Sequence, residues 1–312
     1  MDFSVVLSTH DRPEILRAAV EAVLAQTAPP GELIVVHDGP GEVAPALAAE
    51  ARRRGVPFRC ERLSAPSLTA SRNRGIDVAA GEVVVLLEDD VLLPPDYLSR
   101  LGELYRADGR GAVAGIGAVV VEPDMGRWKR RLWDLAARAL GRGLWSPRRL
   151  TGRRVALPAA LARRLVAARR LSGGGLSLRR AVAAAERFDE GLDGYALGED
   201  REFCFRAGAR HALFLAPELV VRHAVAPGGR PDPAERARMF VRNTLRIARR
   251  ATEGGAGTWL LVGWELAGAV LLHLLAAPLS RRPGEKLAFA AAAAGELVRR
   301  AAGRARSWLC GS

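Results

Sequence analysis

Three carboxylates stand side by side at positions 88–90, where Glu88, Asp89 and Asp90 follow the apolar run 83–87. Adjacent carboxylates repel one another unless a cation lies between them. Hard oxygen ligands of this kind suit Mg²⁺ or Mn²⁺, which proteins usually share with substrate phosphates. The triplet therefore predicts a divalent-metal site at the end of a buried strand. An acidic turn that leads into the next helix is the alternative interpretation.

Four further polar residues are expected near this triplet. Asp38 ends another apolar run, Glu199 and Asp200 open a predicted helix, and His223 ends the last predicted strand. Ligands of open α/β sheets bind outside the carboxyl ends of the strands. Taken singly, these residues could be a turn residue, helix caps and a surface histidine. Together they predict a site that could hold a metal-bound diphosphate and offer a separate general base.

The elements that must position these groups are predicted by the spacing of the apolar residues. Short uninterrupted apolar runs alternate with segments of helical period, which is typical of a parallel sheet buried on both faces. We therefore predict an α/β fold, with a mainly parallel sheet covered by helices on both faces. Asp11 and Ser67 are expected to cap two of the helices. The predicted strands are 3–8, 33–36, 58–63, 82–87, 112–122 and 212–223, and the predicted helices are 13–26, 43–54, 68–80, 97–107 and 198–207.

The composition limits the class of protein. Hydrophobic residues make up 49% of the 312 residues, so a sizeable core can form and a wholly disordered chain is excluded. The three cysteines lack C-x-x-C spacing, which argues against a disulfide scaffold and a structural zinc site. The N-terminus leads directly into a predicted strand, and from this we expect a cytoplasmic setting.

Charge is distributed in blocks along the chain. The net charge is +13, but residues 1–123 carry −6, residues 124–180 carry +14 and residues 224–312 carry +8. Basic blocks commonly face nucleic acid, anionic lipid or a polyanionic ligand, and a solvated Arg-rich surface is the alternative. We predict a catalytic domain at 1–225 with a basic, partly helical insertion at about 124–170, followed by a helical region at 226–312.

Several short sequence motifs occur in this chain in the same order as in the family 2 glycosyltransferases, which have the GT-A fold, and the chain therefore resembles that family. The resemblance runs from residue 4 to residue 223. Its parts are SVVLST at 4–9, ELIVVHDG at 32–39, ASRNRGI at 70–76, LEDDV at 87–91, GGLSLRR at 174–180, GEDRE at 198–202 and the histidine at 223.

The resemblance implies a role for individual residues. Asp200, beside Glu199, matches the catalytic base, and Asp90 matches a position that binds the divalent metal. His223 matches a histidine that helps to bind the metal or the diphosphate in some members. Gly174 and Gly175 match a loop that contacts the acceptor or the diphosphate. The positions that match donor-nucleotide contacts are Thr9, Arg12, Asp38, Arg72, Glu88 and Asp89.

Two positions depart from the family pattern. Glu88 stands where many members have Asp, so its longer side chain would alter the ribose contact and keep the charge. His37 precedes Asp38 where Asp or Asn is frequent, which leaves the base preference open. The expected chemistry is one displacement at the anomeric carbon, which inverts that centre. A metal neutralises the diphosphate leaving group and a carboxylate accepts the proton of the acceptor hydroxyl.

Two apolar segments outside these motifs suggest a membrane location. Trp128 and Trp133 alternate with basic residues in a pattern that suits a helix in a membrane interface, or one packed on the catalytic domain. The run 259–279 is long enough to span a bilayer, but Glu265 near its middle makes a span costly. A re-entrant or surface-lying helical pair is therefore favoured, with a helical oligomer contact or a buried cap left open. We expect an anionic membrane surface as a partner, at the cytoplasmic face.

The sequence as a whole predicts a metal-dependent, inverting glycosyltransferase of cell-envelope polysaccharide or glycolipid synthesis. Its partners would be a nucleotide-sugar donor and a saccharide or lipid-linked acceptor. A nucleotidyltransferase also uses strand-end carboxylates, but it normally begins with a Gly-rich basic loop that residues 8–13 do not supply. A nucleic-acid-binding protein would fit the net charge of +13. However, residues 1–123 are net acidic and carry no recognition motif, so no nucleic-acid partner is expected.

Overall fold

The computed structural model describes residues 1–39, 44–121, 127–141, 155–168, 170–192, 194–224, 231–251, 255–280 and 282–309. Within these ranges the strands are β1 (Phe3–Thr9), β2 (Glu32–His37), β3 (Phe58–Arg62), β4 (Val83–Glu88), β5 (Val91–Leu92), β6 (Gly115–Val121), β7 (Val166–Ala167), β8 (Leu176–Arg179) and β9 (Leu213–His223). The helices are α1 (Pro13–Leu24), α2 (Ala44–Arg53), α3 (Leu68–Val78), α4 (Tyr97–Ala107), α5 (Arg127–Ala139), α6 (Ala159–Ala162), α7 (Arg180–Glu186), α8 (Glu199–Gly208), α9 (Pro233–Ala251), α10 (Ala256–Ala276) and α11 (Pro283–Leu309). Single 3-10 turns occupy Gly173–Gly175 and Ala277–Leu279.

All nine strands of the described residues belong to one sheet, in the order β3-β2-β1-β4-β8-β6-β9-β5, and β7 pairs with β9. The first four strands are parallel, and β6 is parallel to β9. Strand β8 runs antiparallel between β4 and β6, and the two-residue strands β5 and β7 are antiparallel to β9. The longer pairings are parallel, which confirms the predicted mixed α/β fold with a mainly parallel sheet.

Both faces of the sheet are buried, because successive strand residues point to opposite sides. Val5 and Leu7 of β1 pack in a core that includes residues of α1 and α4. Val6 points to the opposite core, which includes residues of α3, α7 and α8. This arrangement explains why the strands are apolar without interruption.

One of the two predicted helix caps is confirmed. Ser67 Oγ accepts a hydrogen bond from the Ala70 N–H at 3.2 Å, as expected of an N-cap. The prediction for Asp11 is wrong. Pro13 occupies the first turn of α1, Arg12 is the N-cap residue without a side-chain cap bond, and Asp11 has φ of 46° in the left-handed region. Proline restricts the conformation of the residue before it, which places the start of the helix directly at Pro13.

The chain divides into two units, which we name the sheet unit (1–124 and 149–229) and the helical unit (125–148 and 230–312). The basic insertion predicted at about 124–170 is divided between them, because α5 belongs to the helical unit and residues 149–170 to the sheet unit. The boundary predicted between 225 and 226 stays a prediction.

The helical unit consists of α5, α9, α10 and α11, with α10 in contact with the other three. The His273 ring of α10 stacks on Phe289 of α11 at 3.9 Å between ring centroids and meets the edge of Trp133 of α5 at 6.2 Å. At Gly268 the Leu140 carbonyl oxygen comes so near that an added Cβ would lie 1.8 Å from it. The end of α5 therefore packs directly on the backbone of α10.

Candidate active site

The carboxyl ends of β1, β2 and β4 meet at one edge of the sheet, because these strands are parallel neighbours. Strand β4 ends at Glu88 and the chain turns through Asp89 and Asp90 into β5. Strand β5 pairs with the end of β9, with Val91 opposite His223. The Ala224 N–H then donates to the Asp90 carbonyl at 2.7 Å. This short pairing brings His223 to the acidic triplet from a distant part of the sequence.

Glu88, Asp90 and His223 form a group that could hold a metal ion. One ligand atom from each residue lies within 4.8 Å of those from the other two. His223 Nε2 is 3.1 Å from Asp90 Oδ1. Two carboxylates and an imidazole are a donor set that Mn²⁺ accepts, and Mg²⁺ prefers the carboxylates. The group contains both predicted metal ligands, Asp90 and His223, and adds Glu88, which the sequence assigned to the nucleotide.

Asp89 points away from that group and is completely buried. Its Oδ2 accepts hydrogen bonds from Thr9 Oγ1 at 2.6 Å and Arg12 Nε at 3.1 Å, and Arg12 makes a second contact with Oδ1. Burial raises the pKa of Asp89 to about 6, although the bonds from Thr9 and Arg12 act in the opposite direction. Arg12 Nη1 also lies 3.5 Å from Asp90 Oδ2. Thr9 and Arg12 therefore tie the acidic triplet to the end of β1.

A completely buried guanidinium, that of Arg72 in α3, joins two carboxylates of the site. Arg72 Nη1 donates to Glu199 Oε1 at 2.5 Å, and Nη2 donates to Glu88 Oε1 at 3.2 Å. Burial raises the pKa of Glu199 to about 7. Arg72 opposes this shift, and Asp200 and Glu88 add to it. Arg72 thus connects α8 to the group that could bind a metal.

The glycine loop at Gly173–Gly175 passes close to this network. A Cβ added at Gly173 would lie 2.4 Å from Arg72 Nη2, so only glycine fits there without moving the guanidinium. A Cβ at Gly174 would come within 3.2 Å of Val91 Cγ2 and 4.0 Å of Glu88 Oε1. Of the two predicted loop residues, Gly174 therefore lies beside the acidic strand end, whereas Gly175 faces Ala118 and Val221. Gly173 extends the same loop.

Asp200 lies in the first turn of α8 and is buried. Arg170 donates to it through two nitrogens, with Nε 3.3 Å and Nη2 3.2 Å from Asp200 Oδ2. The Arg170 side chain is 52% exposed, so the pair lies at the border between protein and solvent. Arg170 could not be identified from the sequence, because nothing distinguishes it from the other arginines of the basic stretch. The carboxylate is also favoured by the helix N-terminus.

Asp38 lies after β2 and has a partner on each carboxylate oxygen. His10 Nδ1 is 2.5 Å from Oδ1, and the Ser67 N–H donates to Oδ2 at 3.0 Å. The His10 side chain is 48% exposed, whereas that of Asp38 is buried. His10 was also missed by the sequence analysis, although its position directly after β1 was a signal that could have identified it.

The structure therefore brings most of the predicted residues into connected groups. Arg72 links Glu88 of the metal group to Glu199, and Asp200 follows Glu199 in the same helix turn. Arg12 links the metal group to Asp89 and Thr9. The carboxylate of Asp38 is joined to His10 and Ser67, and the Asp38 N–H donates to the Thr9 carbonyl at 3.4 Å. What each residue binds stays a prediction.

The chain is similar in sequence to known glycosyltransferases. The model of the glycosyl transferase family 2 matches residues 4–161, just over half of the chain. A glucosyl-dolichyl phosphate glucuronosyltransferase of Haloferax volcanii is 34% identical over 127 residues, which cover 40% of this chain and 39% of that protein. The succinoglycan biosynthesis protein ExoO of Rhizobium meliloti is 32% identical over 114 residues, 36% of this chain and 31% of that protein. The chain thus spans less than half the length of these relatives.

The fold is similar to that of solved glycosyltransferases. S. aureus TarS 1–349 in complex with UDP-GlcNAc superposes with a TM-score of 0.57 and 13% identity, over 94% of this chain and 79% of that chain. The mannosyltransferase PcManGT from Pyrobaculum calidifontis, in complex with GDP-Man and Mn²⁺, gives 0.54 and 16%, over 98% and 80%. At such identities the likeness concerns the fold, which is of the GT-A type. The family match together with this fold shows that the chain belongs to glycosyl transferase family 2.

Proposed function

We propose that this family 2 glycosyltransferase is metal-dependent and inverting, and that it transfers a sugar from a nucleotide-diphosphate donor to an acceptor hydroxyl. The observation that carries the proposal is the group of Glu88, Asp90 and His223 at the carboxyl end of β4, next to the buried Arg72. Ligands of α/β sheets bind at this edge. A nucleotide diphosphate carries the charge that such a group, once loaded with a cation, would attract.

The residues of the metal group would hold Mg²⁺ or Mn²⁺, which when bound neutralises charge on the diphosphate leaving group. The support from other proteins is that PcManGT is solved with GDP-Man and Mn²⁺ and TarS with UDP-GlcNAc. Thr9, Arg12, Asp38, Arg72 and Asp89 would line the donor side of the site. Arg12 and Arg72 keep the carboxylates of the triplet apart in fixed directions, so the ligand atoms are oriented before the cation arrives.

Asp200 would act as the general base, with Arg170 holding its carboxylate in one orientation through two N–H groups. The base removes the proton of the acceptor hydroxyl as the oxygen attacks the anomeric carbon. Because one displacement occurs, the product has the opposite anomeric configuration. Glu199 would keep Arg72 in place beside the base, and the backbone of Gly174 and Gly175 would face the acceptor or the diphosphate.

The acceptor would be a saccharide or lipid-linked sugar of cell-envelope polysaccharide or glycolipid synthesis, at the cytoplasmic face of the membrane. The relatives named above support this class, since one belongs to succinoglycan biosynthesis and another acts on a glucosyl-dolichyl phosphate. The segment Ala256–Leu279 supports a membrane location, because its length and apolar composition would allow it to cross a bilayer.

A screen of nucleotide sugars for thermal stabilisation, with and without Mn²⁺, tests the proposal. A donor at 100 times its Kd stabilises the folded state by about 2.7 kcal/mol, which is visible as a higher Tm. We expect one or a few nucleotide sugars to stabilise the protein only with metal, and NMR of the product to report inversion. Stabilisation by nucleoside triphosphates alone would favour the nucleotidyltransferase instead. Retention at the anomeric carbon would contradict the single displacement.

A further inference from the structure

One side of α10 exposes only apolar or small side chains to the surroundings. We call this side the outer face of α10. The most exposed members are Leu260 at 75% and Leu275 at 61%. At 3.6 residues per turn the residues of the outer face form a stripe about 100° wide along the helix. The outer face comprises Leu260, Trp264, Ala267, Leu271, Leu274 and Leu275.

The ionisable residues of α10 lie on its opposite side. Glu265 is buried, and the His273 ring is sandwiched between Phe289 and the edge of Trp133. A helix on the surface of a water-soluble protein normally has the reverse arrangement, with its apolar side inward and its charges in water. The orientation of α10 therefore suits an apolar surrounding on one side only.

The neighbours of α10 argue against a membrane span. Helix α9 packs against both α10 and α11 and contains six arginines within nineteen residues. Arg238 and Arg242 lie in its middle turns and are half-buried. If α10 crossed the bilayer, α9 would have to bring these charges into hydrocarbon, which is costly for each charge. The outer face itself contains no Lys, Arg, Asp or Glu.

The net charge of the helical unit indicates what kind of apolar surrounding the outer face of α10 meets. The unit carries 21 basic and 7 acidic residues, a net charge of +14. On α5, the exposed Leu132 and Leu135 alternate with the exposed Arg131 and Arg138. The Trp264 Nε1–H donates to the carbonyl of Ala139 at 3.3 Å, which fixes the end of α5 beside the outer face. Leu and Trp next to arginines are the composition of interfacial helices on anionic lipid.

We propose that the outer face of α10, together with Leu132 and Leu135 of α5, lies flat in the headgroup region of an anionic bilayer and that α10 does not span it. This deepens the membrane location proposed above by assigning the side chains that insert and the orientation of the helix. The exposed Arg131 and Arg138 of α5 contact lipid phosphates at the same depth.

Flotation of the full-length protein with vesicles tests the surface. The vesicles contain phosphatidylglycerol and phosphatidylcholine in equal parts, and pure phosphatidylcholine serves for comparison. The variant carries Leu271→Gln, Leu274→Gln and Leu275→Gln, which change exposed side chains and spare the core. The matched control carries Val121→Gln, Val166→Gln and Val220→Gln, which are exposed apolar residues of the sheet unit.

We expect the α10 variant to lose at least about 10-fold in partitioning to anionic vesicles, because three inserted leucines are replaced. The control should float like the unchanged protein, and binding should weaken with salt and on pure phosphatidylcholine. An α10 variant that floats as well as the control would overturn the proposal.

Spin labels measure the orientation of the bound helix. Labels at Leu260→Cys and Leu275→Cys, with Cys60 and Cys310 replaced by Ser, are about 22 Å apart along the helix axis. A helix that lies flat places both labels at the same shallow depth. Depths that differ by about that distance would demonstrate a span and overturn the proposal. A dimer without lipid that dissociates in the α10 variant would assign the outer face to a second copy instead.

The outcome is independent of the proposed transferase activity. Metal-dependent stabilisation by a nucleotide sugar is measured on the same preparations, in the absence of vesicles. Flotation without donor binding would contradict the proposed function alone. Donor binding without flotation would contradict the membrane surface alone.

Discussion

The sheet unit and the helical unit use charge in opposite ways. The sheet unit has 26 basic and 27 acidic residues, a net charge of −1, whereas the helical unit carries +14. In the sheet unit charged groups are buried and paired, as Arg72 is with Glu88 and Glu199. In the helical unit apolar side chains such as Leu260 are exposed, and so are basic side chains such as Arg131 and Arg138.

This difference indicates that the two units have separate tasks, namely binding a charged ligand and contacting a surrounding other than water. Burying charges is costly unless partners compensate, so a paired network at a sheet edge indicates a place prepared for a charged ligand. Exposing leucines in water is also costly, so the outer face of α10 indicates a surrounding other than water. If the tasks are separate, a change in one unit should alter only the property measured for that unit.

The largest effect is expected for Asp90→Ala, which removes one of the three ligands of the metal group. Metal-dependent stabilisation by the donor should disappear. Transfer should fall at least about 10³-fold, since a metal contributes several kcal/mol to the transition state. The fold should persist, because Asp89 still holds Arg12. Thermal shift, transfer and vesicle flotation are measured together, and only flotation should be unchanged.

The matched control for this variant is Asp96→Ala. Asp96 is an exposed carboxylate of the segment between β5 and α4, and as the N-cap residue of α4 it makes no side-chain cap bond. It should keep donor binding, transfer and flotation. Unchanged Mn²⁺ dependence in Asp90→Ala would show that the metal assignment is wrong.

A smaller loss is expected for Asp200→Asn, because the amide keeps the shape and can still accept a bond from Arg170. It cannot accept the proton of the acceptor, so transfer should fall by about 10²–10⁴-fold while donor binding persists. Asp77→Asn, at another Asp–Arg pair of the sheet unit, is the control. Transfer by Asp200→Asn at the rate of that control would remove Asp200 from the mechanism.

The substitutions of Leu271, Leu274 and Leu275 by Gln should affect only membrane-bound substrates. We expect about 10-fold slower transfer to a lipid-linked acceptor, in line with the loss of membrane partitioning, and an unchanged rate with a short soluble acceptor. Steady-state rates with both acceptors, in the presence of anionic vesicles, provide the measurement. An equal loss with both acceptors would mean that the two units are not separable in function.

The sequence sufficed for the sheet and for the residues at its edge. Asp90 and His223 could be paired in advance because each ends a strand, and parallel strands end at a common edge. Arg170 and His10 could not, since their partners, Asp200 and Asp38, are chosen by side-chain rotamers in loops that have no periodicity. The nearness of Glu88 to His223 could not be predicted for a related reason, since it depends on where β5 pairs with β9, and the binding role of Glu88 stays a prediction.

The helices of the helical unit could be predicted from the sequence, but the way in which they pack on one another could not. Amphipathic periodicity identified the basic helix α5 and the apolar α10, but it does not specify what a helix packs against. The membership of α5 in the helical unit follows from contacts such as Trp133 with His273 and Leu140 with Gly268. Such contacts depend on side-chain shape and on one glycine, which a hydropathy pattern does not report.

The smallest expected effect is a change of stability with pH. We compare Glu199, a buried glutamate of the sheet unit, with Glu296, a buried glutamate of the helical unit. Burial raises the pKa of Glu199 from 4.5 to about 7, so the folded state binds a proton more tightly than the unfolded chain. Its stabilising contribution is complete below pH 4.5 and is lost as the pH rises towards 7. Glu296 is the opposite case. Burial acts to raise its pKa, but bonds from Arg299 and Arg300 outweigh burial and lower it below 4.5, so its contribution is present above that pH and lost in acid.

Thermal unfolding of Glu199→Gln, Glu296→Gln and the unchanged protein, without metal, distinguishes the two cases. Between pH 5 and pH 7.5 the Tm advantage of the unchanged protein over Glu199→Gln should shrink, because only the unchanged protein loses the proton at Glu199. Its advantage over Glu296→Gln should stay constant in that interval and shrink at lower pH. Asp89 titrates in all three proteins, so its contribution cancels when the Tm of each variant is subtracted from that of the unchanged protein. An advantage over Glu199→Gln that grows with pH would mean that Glu199 is already ionised beside Arg72, and that the buried network of the sheet unit is a simple ion pair.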